Sequence, residues 1–189
     1  MAGDGDGPRP GLGPLADAKR VAVIGNVGAG KTTVARAIGR ALGLPVQSVD
    51  RMLWDDDWQP VPAEAFETAH AELMLRERWV VEGFGPGWSI KERMRRADVT
   101  VFLDPPTWLC AWRGLRRGRT GDHTGRPAGM LKMLRALAAI RLRLVPRLRR
   151  AAQRQRPAGE PQVVWVRGRR AVNALLRDLR AMATETDTP

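Results

Sequence analysis

Apolar positions along the chain form two alternating patterns. Short unbroken runs rich in β-branched residues predict strands buried on both faces: "RVAVIG" (20–25), "VQSVD" (46–50), "WVVEG" (79–83), "VTVFLD" (99–104) and "QVVWV" (162–166). Between them the apolar residues recur at helical spacing. "TTVARAIGRAL" sets Val34, Ala35, Ile38, Ala41 and Leu42 on one stripe, and Gly43 and Pro45 then stop it. Helices are also predicted for "AEAFETAHAELMLRER" (63–78), "SIKERMRRA" (89–97), "TWLCAWRGLRR" (107–117) and "RAVNALLRDLRAM" (170–182). A long helical stretch follows from about Met130 to Arg154, with a break expected at Pro146. Strand–helix alternation with strands apolar throughout means an α/β domain around a parallel sheet.

The 189 residues suffice for one ordinary domain with a full core. Residues 1–17, rich in Gly, Pro and Asp, and residues 184–189, "TETDTP", are expected to be disordered tails around a domain spanning 18–183. Cys110 is the single cysteine, so no internal disulfide can form, and no Cys/His cluster has metal-ligand spacing. The start of the sequence lacks an apolar leader core, and no run has the length of a membrane span. The expectation is a soluble cytoplasmic protein, monomeric or weakly dimeric, with no membrane contact.

Charge is unevenly placed. The net +12 is concentrated between Arg113 and Arg156, where 14 bases meet one acid, Asp122, for +13; the other 18 bases and 19 acids leave −1. Such a stripe suits phosphates, nucleic acid or an anionic membrane face. Arg makes up 28 of the 32 bases, which compositional bias explains, but bias does not explain the clustering.

The most specific chemistry lies in "GNVGAGKT", Gly25-Asn26-Val27-Gly28-Ala29-Gly30-Lys31-Thr32, followed by Thr33. It fits G-x-x-x-x-G-K-[ST] at every fixed position, with an apolar strand before it and an amphipathic helix after it. Glycines let the backbone N–H groups approach an anion at a helix N-terminus, where the dipole favours negative charge. Lys31 would reach the β- and γ-phosphates of ATP, and the Thr32 hydroxyl would bind Mg²⁺. No N-K-x-D guanine signature exists, since Asn26 and Asn173 are the only asparagines.

Five segments in order carry a wider resemblance: this loop, "LPVQSVDRMLWDDDW" (44–58), "WVVEGF" (79–84), "ADVTVFLDPPTWLCAWRGLRR" (97–117) and "VVWVRGRRAVNALL" (163–176). Together they resemble the nucleoside monophosphate kinase group of P-loop proteins, adenylate-kinase-like in layout, and within it the small bacterial DNA topology modulation (FlaR-like) proteins. The resemblance implies a three-layer P-loop NTPase fold with a five-stranded parallel sheet of order 2-3-1-4-5. It also implies a short Arg-rich lid at about 118–129 and an acceptor site beyond the second strand.

By that resemblance the function is transfer of the γ-phosphate of ATP to a small acceptor, with a nucleoside monophosphate favoured. Asp50, ending the second strand, would contact the acceptor or the Mg²⁺ shell, or act as base toward a hydroxyl; capping a turn is the structural alternative. Arg51 beside it would bind an acceptor phosphate. Glu82 stands where adenylate kinases carry Asp and would hold Mg²⁺ through water. Asp104 fits the same strand-then-acid pattern, although Pro105 and Pro106 also suit a turn-capping role. Arg113 and Arg117, four apart on one helical face, lie in the segment that in adenylate kinases brings one Arg to stack on the adenine of ATP and another to bind phosphate, and Arg119 in the lid would close on the transferring phosphoryl group. The rival reading is a nucleotide-gated nucleic-acid-binding or regulatory protein, based on Arg143, Arg147, Arg150 and Arg154 along one helical face. An ATPase without a small acceptor is a third.

Overall fold

The computed structural model describes residues 12–25, 28–55, 59–106 and 161–186, together with 108, 109, 112, 142, 145, 146 and 150. The elements in order are α1 (Gly13–Ala16), β1 (Arg20–Gly25), α2 (Lys31–Leu42), β2 (Val46–Ser48), α3 (Val49–Met52), α4 (Ala63–Leu75), β3 (Trp79–Glu82), α5 (Gly87–Arg96), β4 (Val99–Asp104), β5 (Gln162–Arg167) and α6 (Gly168–Thr186). The five strands form one parallel sheet of order β2-β3-β1-β4-β5, as the resemblance implies. No helix among the described residues is long and apolar enough to cross a membrane.

The unbroken apolar strands follow from burial on both faces. Val21 and Val23 of β1, Val80 of β3, and Val99, Val101 and Leu103 of β4 point to one side. There they pack with Val34, Ala35 and Ile38 of α2 and with Leu175 and Leu179 of α6. Ala22, Ile24, Val81 and Phe102 point to the other, against Phe66, Leu73 and Met74 of α4 and Ile90 of α5. α2 ends as the sequence predicts: Gly43 turns left-handed at φ 61°, and Leu44 N–H donates to Gly39 O at 2.9 Å.

Several boundaries differ from expectation, each for a packing reason. α1 lies within the stretch expected to be a tail, and its Leu15 is fully buried in the α2/α6 core. α6 extends through Thr186, past the expected boundary at 183. α4 stops at Leu75 rather than residue 78, because Trp79 must come into register beside Arg20, where its N–H donates to Lys19 O at 2.9 Å. β2 ends at Ser48, opposite Glu82, the last residue of its partner β3, so Asp50 sits in α3 and does not end the strand. Most of the stretch from 107 to 160, including the lid and the long basic helix, lies outside the described residues.

Asp98 ties the starts of β1 and β4 together. Its carboxylate accepts from Lys19 N–H (3.0 Å), Arg20 N–H (2.8 Å) and the Arg20 guanidinium (2.7 and 3.2 Å). Burial opposes its ionisation, but these donors prevail and hold the carboxyl below the usual range.

His70 of α4 is sealed between Phe66 (ring centroids 5.7 Å) and Trp88 (5.0 Å, edge-on), and its Nε2 has no hydrogen-bond partner among the described residues. Burial first, and then the Arg93 charge, push the imidazole below its usual 6.5, against a weaker pull from Glu92. An unfolded chain takes up a proton near that pH that the native imidazole refuses, so stability falls as pH drops below about 6.5. The melting temperature is expected to decline between about pH 7 and pH 5. In His70→Leu the decline should be shallower; equal slopes would remove His70 as the cause.

Candidate active site

β1 delivers the chain into the Gly loop, and α2 begins directly after it. Gly30 adopts φ 89°, a conformation strained for any residue with a Cβ, and caps α2, with its carbonyl accepting from Val34 N–H at 3.1 Å. Gly25 ends β1, and Ala29 is buried in the core beneath the loop. Lys31, the first residue of α2, is 9% exposed. Asn26 and Val27 lie outside the described residues.

A cleft of about 120 Å³ opens at the C-terminal end of the sheet, lined by Gly28, Gly30, Lys31, Thr32, Thr33, Asp50 and Glu82. It brings together residues from three chain segments that the sequence analysis names separately. Thr32 Oγ1 donates to Glu82 Oε1 at 3.1 Å, linking the loop hydroxyl to the acid that ends β3. Both are hard oxygen donors of the kind Mg²⁺ takes, so these two side chains fit the ion.

Asp50 is held by the loop after β3. Its Oδ1 accepts from Phe84 N–H at 2.8 Å and Gly85 N–H at 3.3 Å. Gly83 makes that approach feasible: its φ is 113°, and a Cβ there would lie 3.0 Å from Asp50 N and 3.1 Å from Asp50 Cγ. The expected turn-capping role and the expected place in the cleft are therefore both present, one carboxylate serving each. Arg51 is exposed beside it.

No protein-family model matches the sequence, and no curated protein matches it either. Solved structures do. A shikimate kinase from Acinetobacter baumannii, in complex with shikimate, superposes with a TM-score of 0.55 at 19% identity, over 94% of this chain and 100% of that one. A gluconokinase from Sinorhizobium meliloti 1021 gives a TM-score of 0.50 at 20% identity, over 88% of this chain and 92% of that one. The chain shares their three-layer α/β fold with a parallel sheet of order 2-3-1-4-5. At such identities the likeness speaks for the architecture, and the chemistry rests on the side chains gathered in the cleft.

Within that fold, Asp104 ends β4, buried, and is not among the cleft-lining residues. Arg113, Arg117 and Arg119 lie outside the described residues, as do Asp56, Asp57 and Trp58 of the expected acceptor loop.

One site residue was not singled out in advance. Arg93 of α5 is fully buried, and its guanidinium donates to Ser89 O (3.1 Å), Gly83 O (2.9 Å) and Phe84 O (2.6 Å). Burial pushes its pKa down to about 10, with the negative charges of Asp50 and Glu82 acting against that shift, so it remains a cation at neutral pH. The signal was present in "SIKERMRRA": Ile90, Arg93, Met94 and Ala97 recur at helical spacing, which puts an arginine in an apolar stripe.

A larger hollow, about 350 Å³, lies at the N-terminal edge of the sheet between Arg20, Arg95, Arg96 and Asp98. Its guanidiniums are engaged by Asp98 and Glu92 at the carbonyl end of α5, which makes it a helix-terminating arrangement.

Proposed function

We propose that this protein is an ATP- and Mg²⁺-dependent phosphotransferase acting on a small acceptor. The observation that carries the reading is the meeting of Lys31, Thr32, Glu82 and Asp50 in one cleft at the end of the sheet. Loop N–H groups and Lys31 bind the β- and γ-phosphates and hold the γ-phosphorus in place. Mg²⁺, held through Thr32 and Glu82, would supply charge neutralisation to the phosphate oxygens.

Asp50 faces the phosphate loop from the acceptor side. As a carboxylate it takes the proton of an attacking hydroxyl; the new O–P bond forms as the bond to the β-phosphate oxygen breaks and ADP departs. This favours a hydroxyl acceptor, because a phosphate acceptor needs no base and is repelled by the carboxylate. The shikimate kinase, solved with shikimate bound, and the gluconokinase are kinases of small molecules, which supports the same class.

A nucleoside monophosphate acceptor, and with it the DNA topology modulation (FlaR-like) kinship, is the second reading. The exposed Arg51, one residue from Asp50, favours it as a phosphate contact. Nucleic-acid contact through the basic 113–156 stretch rests on charge alone and predicts affinity that falls steeply with salt.

ADP release measured against nucleoside monophosphates, nucleosides and small polyols, with a no-acceptor control, decides between these readings. Acceptor-dependent ADP is the expected result. ADP formed equally without acceptor would make the protein an ATPase, and no ADP with tight ATP binding would favour a regulator.

A further inference from the structure

Arg93 and Asp50 are 43 residues apart in sequence, and the same short loop joins them. The Gly83 carbonyl and the Phe84 N–H belong to one peptide group, and the Phe84 carbonyl and the Gly85 N–H to the next. Each of these two groups accepts from Arg93 through its oxygen and donates to Asp50 Oδ1 through its nitrogen. Two parallel chains thus run from guanidinium to peptide to carboxylate.

We propose that Arg93 is a positioning residue for Asp50, fixing the place of that carboxylate in the cleft through these two peptide groups; this rests on the phosphotransferase reading above. Three physical points support it. A cation on a carbonyl oxygen polarises the whole peptide group and makes its N–H a stronger donor, and such chains strengthen cooperatively away from water. The planar guanidinium spans both carbonyls at once, while its Nε bond to Ser89 O sets its plane; an ammonium lacks that fork. Finally, burying a full charge costs far more than burying a neutral amide, so a fully buried arginine is an expensive way to satisfy two carbonyls unless its charge is used.

The test uses the full chain. Arg93→Gln removes the charge and keeps a donor. If Arg93 acts through the peptide chains, the Phe84 and Gly85 amide protons shift upfield in this variant. Those of Lys19 and Arg20, which donate to Asp98, stay in place. In ATP turnover with the best acceptor from the panel, Arg93→Gln is expected to cost about 10²-fold, the scale of a small displacement of a reacting group. On an Asp50→Asn background the same change should cost no more than about twofold, because coupled residues are not additive.

Unmoved Phe84 and Gly85 amides in a folded Arg93→Gln variant would overturn the proposal. So would an equal loss on both backgrounds, which is the mark of a purely structural arginine. Should Arg93→Gln fail to fold, Asp50→Asn reads the chain from its other end. The buried, hydrogen-bonded Nη protons of Arg93 must then shift along with the Phe84 and Gly85 amides, and unmoved Nη protons overturn the proposal. A chain with no turnover on any acceptor would sink the phosphotransferase reading, and the amide shifts alone would then decide whether Arg93 holds Asp50.

Discussion

Lys31→Ala is expected to abolish ATP-dependent phosphoryl transfer and leave the fold intact. Its ammonium is nearly sealed in the cleft, where the low local dielectric strengthens its attraction to phosphate oxygens. Removing one preorganised donor from developing charge costs about 10²–10³ in rate, or about 2.7–4 kcal/mol, and a full positive charge lies at the upper end. Stability should respond differently. The Lys31→Ala variant should still melt cooperatively, as the parent does, since the Val34, Ala35 and Ile38 face of α2 keeps its core packing. Robust ADP formation by a folded Lys31→Ala variant would remove the phosphate loop from the reaction and the proposed function with it.

The second large effect is expected at Asp50. Asparagine has nearly the same shape and keeps a carbonyl oxygen to accept from Phe84 and Gly85, so Asp50→Asn leaves the loop in place and removes the charge. If the acceptor is a hydroxyl compound, turnover should fall by about 10²–10⁴, the usual contribution of a positioned general base. On the proposed reading, in which Asp50 faces the acceptor, the KM for ATP should change little. With a nucleoside monophosphate the loss should be small, because no hydroxyl proton has to leave. Kinetics of Asp50→Asn with both acceptor classes thus separate them, and an unchanged kcat with a hydroxyl acceptor would leave Asp50 as a turn cap only.

The fold was legible in the sequence because its signals are periodic and repeated. Five apolar runs and a dominant helical stripe in α2 fix a parallel sheet covered on both sides, and the observed strands begin where those runs begin. Errors fell at ends, where local propensity yields to register. "VQSVD" reads as one strand with valines at 46 and 49, yet pairing with β3 stops at Ser48 because β3 itself stops at Glu82. Leu15 shows the converse: Gly and Pro around it suggest disorder, but Leu15, with Leu12 and Ala18, docks the segment on the core. Lys31, Thr32, Asp50 and Glu82, named separately from the sequence, line one cleft: Lys31 and Thr32 follow the Gly loop, Glu82 ends β3, and Asp50 lies in α3, two residues past β2. Arg93 was harder to find because it works on backbone carbonyls, for which a sequence carries no specific mark. The arginines at 113, 117 and 119 lie outside the described residues.

The loop between Arg93 and Asp50 is hydrogen-bonded through its main chain and packed through the Phe84 side chain. All four hydrogen bonds use peptide oxygens or nitrogens of residues 83–85, and none uses the side chain of Phe84. Position 84 is held by the packing of its side chain as well as by its peptide groups, whereas positions 83 and 85, at φ 113° and 60°, are confined to glycine. Changes at any of the three positions would therefore shift the Asp50 carboxylate, at 83 and 85 through the backbone and at 84 through the packing beneath it.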